Sequence, residues 1–160
     1  MNLSPRAQVI SIIIVSSIFG VGYNAVRTES LSLLYQKPVE RTVEEVDSLL
    51  SETTILSAPE YINLKSAKEM YDRGILFIDA RDEEEFAEGH IKGATVALST
   101  PELVQLTPDR SAPIVTYCGG GECDVSMELA TLLMNDWDYE RIFVFKGGWP
   151  EWKAAGYPAE

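Results

Sequence analysis

The chain has 160 residues, which suits one ordinary globular domain, and its 46% hydrophobic content favours a folded protein over a disordered one. Its formal net charge of −12 argues against an electrostatic nucleic-acid binder, because such proteins need a basic face. Two cysteines and one histidine are too few for a disulfide scaffold or a four-ligand zinc site, so no metal is expected.

The first predicted element is a helix of the length that crosses a membrane. Residues 7–26 contain no charged side chain, and Arg6 and Arg27 flank the stretch. Because about 20 apolar residues span a hydrocarbon core, residues 1–27 are expected to form a transmembrane anchor, with a cleaved signal peptide as the alternative. The flanking Lys and Arg residues do not fix the orientation, and similarity to export signals favours an extracytoplasmic location for the rest of the chain.

Residues 28–58 are predicted to form a spacer. Within it, TVEEVDSLLSE at 42–52 predicts a short amphipathic helix whose apolar face consists of Val43, Val46, Leu49 and Leu50. That face suits packing on the following domain or on a partner, and the sequence does not choose between them.

From residue 59 to residue 160, short apolar runs alternate with helical patterns. Helices are predicted at NLKSAKEMYDRG (63–74), DEEEFAEGH (82–90), SMELATLLMND (126–136) and WPEWKAAG (149–156). Buried strands are predicted at ILFIDA (75–80), PIVTYC (113–118) and RIFVFKGG (141–148). Strands that alternate with helices indicate an α/β fold, with a mostly parallel sheet and helices on both faces.

The segment YCGGGECDVS at 117–126 holds both cysteines and three consecutive glycines. Cys118 follows a predicted strand at its carboxyl end, where open α/β sheets bind ligands. Glycine backbones allow the loop to curl with its N–H groups inward, as a ring formed by Gly119, Gly120, Gly121, Glu122, Cys123 and Asp124. Such a ring favours a thiolate, the nucleophilic form of cysteine. The alternative is an inert, buried Cys118 beside a flexible turn.

Three segments in order resemble the rhodanese-like family of sulfurtransferases. They are FIDARDEEEFAEGHIKGA (77–94), IVTYCGGGECDVSMELATLL (114–133) and VFKGGWPEWKAAGYP (144–158). They are similar to the family's Asp-x-Arg…Gly-His-Ile segment, its cysteine loop and its closing Gly-Gly-x-x-x-Trp segment. The resemblance covers roughly residues 59–160.

The resemblance implies a single rhodanese-like domain with a parallel five-stranded sheet flanked by helices. It also implies that Cys118 is catalytic and carries sulfane sulfur as a persulfide. The sulfur would come from a small donor such as thiosulfate or another persulfide, and a thiol or cyanide would accept it. No metal and no organic cofactor is implied.

The cysteine loop departs from the family after four intervening residues. Many members carry Arg or Lys there to bind an anionic donor, whereas this chain has Cys123 followed by Asp124. The departure weakens the case for dianionic thiosulfate and argues against the related Cys-x5-Arg phosphatase chemistry. Cys123 is a candidate resolving thiol that attacks a persulfide on Cys118, or else a small buried residue in the first helical turn.

Five further residues in the matching segments receive structural interpretations. Asp79 and Arg81 are expected to tie loops together through charge-assisted hydrogen bonds. His90 is expected to anchor the turn before Ile91 by hydrogen bonding rather than to act as a base. Trp149 and Trp152 fit packing of the last helix, and Trp149 is also a candidate for the mouth of the site.

Three functions remain open from the sequence. The first is a sulfurtransferase using Cys118, the second a non-catalytic rhodanese-like interaction or regulatory module, and the third a Cys118/Cys123 persulfide reductase. The expected partners are a small sulfur donor, a thiol acceptor and a membrane bound through the N-terminal helix, with no nucleic acid.

Overall fold

The computed structural model describes residues 4–26, 39–51, 55–96, 105, 107–121 and 123–160 of two compact units, residues 1–37 and 38–160. The first unit contains helix α1 (Pro5–Val26). Across the described ranges, no helix combines the length and apolar character needed to cross a membrane, so the predicted transmembrane anchor is not supported. The predicted extracytoplasmic location of the second unit stays a prediction.

A parallel five-stranded sheet with the strand order β1-β5-β4-β2-β3 forms the centre of the second unit. Its strands are β1 (Glu60–Ile62), β2 (Leu76–Asp79), β3 (Thr95–Val96), β4 (Ile114–Tyr117) and β5 (Ile142–Phe145). The described helices of this unit are α2 (Val43–Ser51), α3 (Leu64–Asp72), α4 (Glu83–Glu88), α5 (Val125–Trp137) and α6 (Gly148–Ala154). The predicted α/β class and parallel five-stranded sheet are confirmed.

Both faces of the central strands are buried, which explains why their sequences are apolar without alternation. In β4, Ile114 belongs to one core cluster together with Leu133 of α5. Its neighbour Val115 belongs to a second cluster, on the opposite face, together with Trp152 of α6. Successive side chains of a strand point to opposite faces, so β4 joins the two halves of the core.

Two of the predicted helices bury the faces that their periodicity indicates. Asn63 caps helix α3, and its side-chain oxygen accepts a hydrogen bond from Ser66 N at 2.9 Å, as expected for an N-cap. Ala67 and Met70 of this helix are fully buried. In α5 the same holds for Ala130, so α3 and α5 supply apolar cover to the sheet.

Helix α2 contributes to the same core as the sheet. Val46 is 1% exposed and lies in the core cluster that contains Met70 of α3. Outside this apolar contact, Arg73 after α3 pairs with Asp47 of α2 at 2.5 Å. The amphipathic face that the sequence left without a partner therefore packs on the domain itself.

The register of β2 against β4 positions the residues of interest. Asp79 pairs with Tyr117, the last residue of β4. Because the two strands are parallel, their carboxyl ends lie at the same edge of the sheet. Asp79 therefore stands beside the strand end from which Cys118 continues.

Candidate active site

Cys118 directly follows β4 and opens the loop that leads to α5. The residue is 1% exposed, and its thiol takes part in no disulfide. Its carbonyl oxygen accepts a hydrogen bond from Trp149 N at 2.9 Å. The beginning of the cysteine loop is thus held by the start of α6, thirty-one positions further along the chain.

Glycines allow the cysteine loop and the α6 segment to approach each other closely. Gly120 has a φ of 75°, and a Cβ added to it would lie 2.5 Å from Gly147 O. Gly148 has a φ of 59°, and a Cβ there would lie 2.2 Å from Cys118 O. Both positions combine a left-handed backbone with no room for a side chain, which is why the two Gly-rich motifs occur together.

The thiol of Cys118 makes two hydrogen bonds within the loop and the first turn of α5. Ser126 Oγ donates to Cys118 Sγ at 3.4 Å, and Sγ in turn donates to Cys123 O at 3.3 Å. Ser126 is 2% exposed, and its own carbonyl oxygen accepts from Thr116 Oγ1 at 3.0 Å. Thr116 therefore fixes the start of α5 on β4, with the Ser126 hydroxyl directed at the sulfur.

Sequence reasoning missed Ser126. The available signal was a hydroxyl residue in the first turn of the helix that follows the loop, eight positions after Cys118. Ser at a helix start has an ordinary interpretation as a cap, because such residues satisfy the first N–H groups. Only the fold shows that this side chain points to the cysteine instead.

Cys123 lies against Cys118 and is half-buried. Its carbonyl oxygen accepts from Cys118 Sγ at 3.3 Å. The pKa of Cys123 is raised, first by burial and next by the neighbouring Cys118 side chain, while the backbone N–H groups of Val125 and Gly119 oppose the rise.

The predicted ring of inward-pointing amides has these described contacts. The N–H of Cys123 donates to Gly120 O at 3.3 Å. Asp124 precedes α5 with an exposed side chain, and its carbonyl oxygen accepts from Met127 N and Glu128 N, both at 2.9 Å. Glu122 lies outside the described residues. A ring that closes on Cys118 stays a prediction.

Asp79 and Arg81 form a buried ion pair next to the cysteine loop. Arg81 Nη2 lies 2.6 Å from Asp79 Oδ2 and 2.9 Å from Gly89 O, and it donates to both. Burial alone disfavours the charged guanidinium, but the hydrogen bonds and charge of Asp79 outweigh it and raise the pKa of Arg81. These contacts support the interpretation that the pair ties β2 to the loop after α4.

The hydroxyl of Tyr117 extends this network. It accepts a hydrogen bond from Ile91 N at 3.2 Å. Burial, followed by the charge of Asp79, raises the pKa of Tyr117 above its ordinary value. The residue before Cys118 is therefore held as a neutral phenol that bridges two loops. The ring of Trp149 lies 5.7 Å from the Arg81 guanidinium, which closes the same corner of the site.

His90 makes its described contacts with α4 and with residue 160. Its Nδ1 lies 2.9 Å from Phe86 O, its ring stacks on the Phe86 ring, and its Nε2 lies 3.5 Å from Glu160 Oε1. The backbones of His90 and Glu160 also exchange two hydrogen bonds. This arrangement supports an anchoring role rather than that of a base.

Across the ranges that the structure describes, no cluster of three or more His, Cys, Asp or Glu residues is arranged to hold an ion. The loop and the first turn of α5 present the thiols of Cys118 and Cys123 and the hydroxyl of Ser126. The chemistry that they can perform is nucleophilic attack by sulfur and thiol–disulfide exchange.

The described residues thus form an α/β domain with a cysteine loop at the carboxyl end of its central strand. The chain belongs to the rhodanese-like domain family, whose profile matches residues 63–155. That match contains β2, the Asp79–Arg81 pair, the cysteine loop and all of α6.

Two relatives show the range of proteins that carry this domain. A thiosulfate sulfurtransferase, GlpE of Haemophilus influenzae, is 33% identical over 101 residues, which are 62% of this chain and 92% of that protein. The HTH-type transcriptional regulator Rv0324 of Mycobacterium tuberculosis is 31% identical over 121 residues, covering 74% of this chain and 50% of that protein. The chain is thus similar both to an enzyme and to part of a regulator.

Solved structures agree on the fold. A thiosulfate sulfurtransferase from Pseudomonas aeruginosa superposes with a TM-score of 0.53 at 19% identity, over 64% of this chain and 20% of that one. The BH2092 protein from Bacillus halodurans gives a TM-score of 0.51 at 20% identity, over 73% and 84% of the two chains. At these identities the likeness concerns the fold alone.

Proposed function

We propose that this protein is a sulfurtransferase that carries sulfane sulfur as a persulfide on Cys118 and passes it to a thiol or another nucleophile. The observation that carries the proposal is the position of Cys118. It lies at the carboxyl end of β4, within the family match, with its sulfur in hydrogen-bond contact with the buried Ser126 hydroxyl. Family membership and the similarity to GlpE support the same class of reaction.

The reaction consists of two displacements at sulfur. The Cys118 thiolate attacks the sulfane sulfur of the donor, a new S–S bond forms, and the rest of the donor leaves with the electron pair. An acceptor thiolate then attacks the outer sulfur, which regenerates the Cys118 thiolate and yields the acceptor persulfide. Ser126 Oγ is placed to donate to the anionic sulfur, and hydrogen bonds to charged groups are stronger than neutral ones.

The charges near the loop favour a persulfide or polysulfide donor over thiosulfate. Residues 118–124 include no Lys or Arg, and Asp124 adds a negative charge. The guanidinium of Arg81 is occupied by Asp79 and Gly89. A dianion would approach acidic groups without a compensating cation, whereas a singly charged persulfide meets less repulsion. The thiosulfate named for the GlpE relative is therefore a poorer donor in this proposal.

A non-catalytic binding module is the second candidate. The observation that favours it is the 1% exposure of Cys118, which leaves the sulfur little access to a donor in the described conformation. The similarity to part of a transcriptional regulator is in keeping with a module of this kind. The enzyme proposal requires the loop 118–124 to admit a small donor.

The deciding experiment is intact mass spectrometry of the full chain after anaerobic exposure to a donor. The reduced protein is mixed with glutathione persulfide, or in a parallel sample with thiosulfate, and then with cyanide. One added sulfur atom, removed by cyanide and absent from Cys118→Ser, is expected with the persulfide donor. Ser126→Ala is expected to load more slowly, and Thr131→Ala, which removes an exposed hydroxyl of the same helix, serves as its control. If neither donor adds sulfur to a folded protein, the binding module becomes the better explanation.

A further inference from the structure

Both cysteines of the chain belong to one loop. The sequence contains two cysteines, and both are unbridged. Cys118 Sγ donates to the carbonyl oxygen of Cys123 at 3.3 Å. A sulfur atom added to Cys118 would therefore form next to the residue that carries the second thiol, before any acceptor from solution has arrived.

The shape of the loop brings Cys123 back to the sulfur of Cys118 although five positions separate the two residues. Gly120 and Gly121 both have left-handed backbones, with φ values of 75° and 67°, and Cys123 N donates back to Gly120 O at 3.3 Å. The loop therefore folds back on itself. Bridged cysteines usually have Cα atoms about 4.4–6.8 Å apart, a separation that a turn of this kind can supply.

We propose that Cys123 is a resolving thiol, which attacks the persulfide on Cys118, releases sulfide and leaves a Cys118–Cys123 disulfide. The domain then works as a thiol-dependent persulfide reductase rather than only as a carrier. This inference rests on the proposed function, because Cys118 must first receive a sulfane sulfur.

The step balances without an external oxidant. Cys123 sulfur attacks the inner sulfur of the Cys118 persulfide, and the bond to the outer sulfur breaks. The outer sulfur takes the electron pair and the proton of Cys123 and leaves as hydrosulfide. That atom is reduced from the sulfane to the sulfide level, while the two cysteine sulfurs are oxidised to a disulfide.

A small thiol or dithiol returns the disulfide to the starting state. Two thiol groups are oxidised to one external disulfide for every Cys118–Cys123 bond that is reduced. Cys123 is half-buried whereas Cys118 is 1% exposed, so the external thiolate reaches the Cys123 sulfur and Cys118 departs as thiolate. The different exposure of the two cysteines thus decides which sulfur the external thiolate attacks.

The test measures protein mass and released sulfide in the same anaerobic samples of the full chain. Reduced wild type, Cys118→Ser, Cys123→Ser and Cys123→Ala are each exposed to an equimolar amount of glutathione persulfide. Wild type is expected to gain one sulfur atom transiently and then to end two hydrogen atoms lighter than the reduced protein, with one sulfide released for each disulfide formed. Both Cys123 variants are expected to retain one added sulfur and to lose sulfide release, and Cys118→Ser is expected to do neither.

Each result separates this inference from the function on which it rests. If wild type keeps the added sulfur as stably as the Cys123 variants, Cys123 is no resolving thiol, yet the persulfide carrier stands. If no variant gains sulfur, both ideas fail. A disulfide in wild type without matching sulfide would indicate ordinary oxidation and would also contradict the proposal. Agreement between Cys123→Ser and Cys123→Ala, together with an unchanged thermal unfolding temperature, excludes misfolding as the cause.

Discussion

Arg81 forms an ion pair with Asp79, which lies two positions earlier in the chain. Nη2 lies 2.6 Å from Oδ2, and Nε lies 3.0 Å from Oδ1. Their side chains are 6% and 0% exposed, so the pair is shielded from water. A buried carboxylate that loses its partner is strongly destabilising, because its charge stays desolvated without compensation. The pair lies beside Tyr117, so its loss should also disturb β4, the strand that Cys118 directly follows.

We predict that Arg81→Leu lowers the free energy of unfolding by about 3–5 kcal/mol, because Asp79 is left as an unpaired buried charge. Urea denaturation measures the change. Arg73→Leu is the matched control, since Arg73 makes exposed ion pairs with Asp47 and Glu69, and its loss should cost less than about 1 kcal/mol. Equal effects of the two variants would contradict a special role for burial of the Asp79 pair.

We predict that Gly148→Ala slows sulfur loading on Cys118 as well as destabilising the fold. A Cβ at this position would lie 2.2 Å from Cys118 O, so the cysteine loop or the start of α6 must move. Gly156→Ala provides the control. Gly156 also has a left-handed φ, of 69°, but a Cβ there meets nothing within 4 Å.

The control should therefore show only the left-handed backbone cost of about 1–2 kcal/mol. Gly148→Ala should exceed that cost in urea denaturation, and its rate of persulfide formation should fall while Gly156→Ala loads at the wild-type rate. Identical loading rates for the two variants would show that the close approach to Cys118 O is irrelevant to the reaction.

We predict that His90→Ala loads sulfur at the wild-type rate and loses about 1 kcal/mol of stability. The expected loss is that of an ordinary hydrogen bond, here between Nδ1 and Phe86 O. The described imidazole contacts join α4 to residue 160, so removing them should not alter the thiol chemistry. Stopped-flow loading and thermal unfolding measure the two effects. A large fall in loading rate in a folded variant would instead identify His90 as a base.

We predict that alkylation of Cys123 in the native protein begins at higher pH than for an ordinary thiol, whose pKa is about 8.5. Burial, and then the neighbouring Cys118 side chain, raise the pKa of Cys123. In Cys118→Ser the charge contribution of Cys118 is gone, so the alkylation curve should move to lower pH. Burial still acts in that variant, so the curve should stay above that of the urea-unfolded protein.

The raised pKa of Cys123 also determines how the stability of the protein changes with pH. Because the pKa of Cys123 is higher in the folded state, its protonated form contributes stability that is fully present below the unfolded pKa and is lost as pH rises through the folded pKa. Peptide mass spectrometry after timed iodoacetamide treatment across pH measures the curves. A Cys123 that alkylates like the unfolded chain would contradict the described burial and pairing.

Local sequence patterns were sufficient to predict the fold class and to identify the cysteine loop. The apolar runs of β2, β4 and β5 and the spacing of Ala67 and Met70 in α3 are properties of contiguous residues, which is why they predict elements directly. The absence of a cation between Cys118 and Asp124 is likewise a statement about sequence alone. From these features follow a parallel α/β domain, a cysteine at a strand end and the doubt about thiosulfate.

Contacts between segments that are distant in the sequence became known only from the tertiary structure. The hydroxyl of Ser126 reaches Cys118, and the amide of Trp149 binds its carbonyl oxygen, because the packing of α5 and α6 on β4 brings separate segments together. For the same reason, only the fold shows that α2 packs on its own domain and that His90 contacts Glu160. A strand or helix is specified by neighbours along the chain, but the environment of a sulfur atom is specified by neighbours in space.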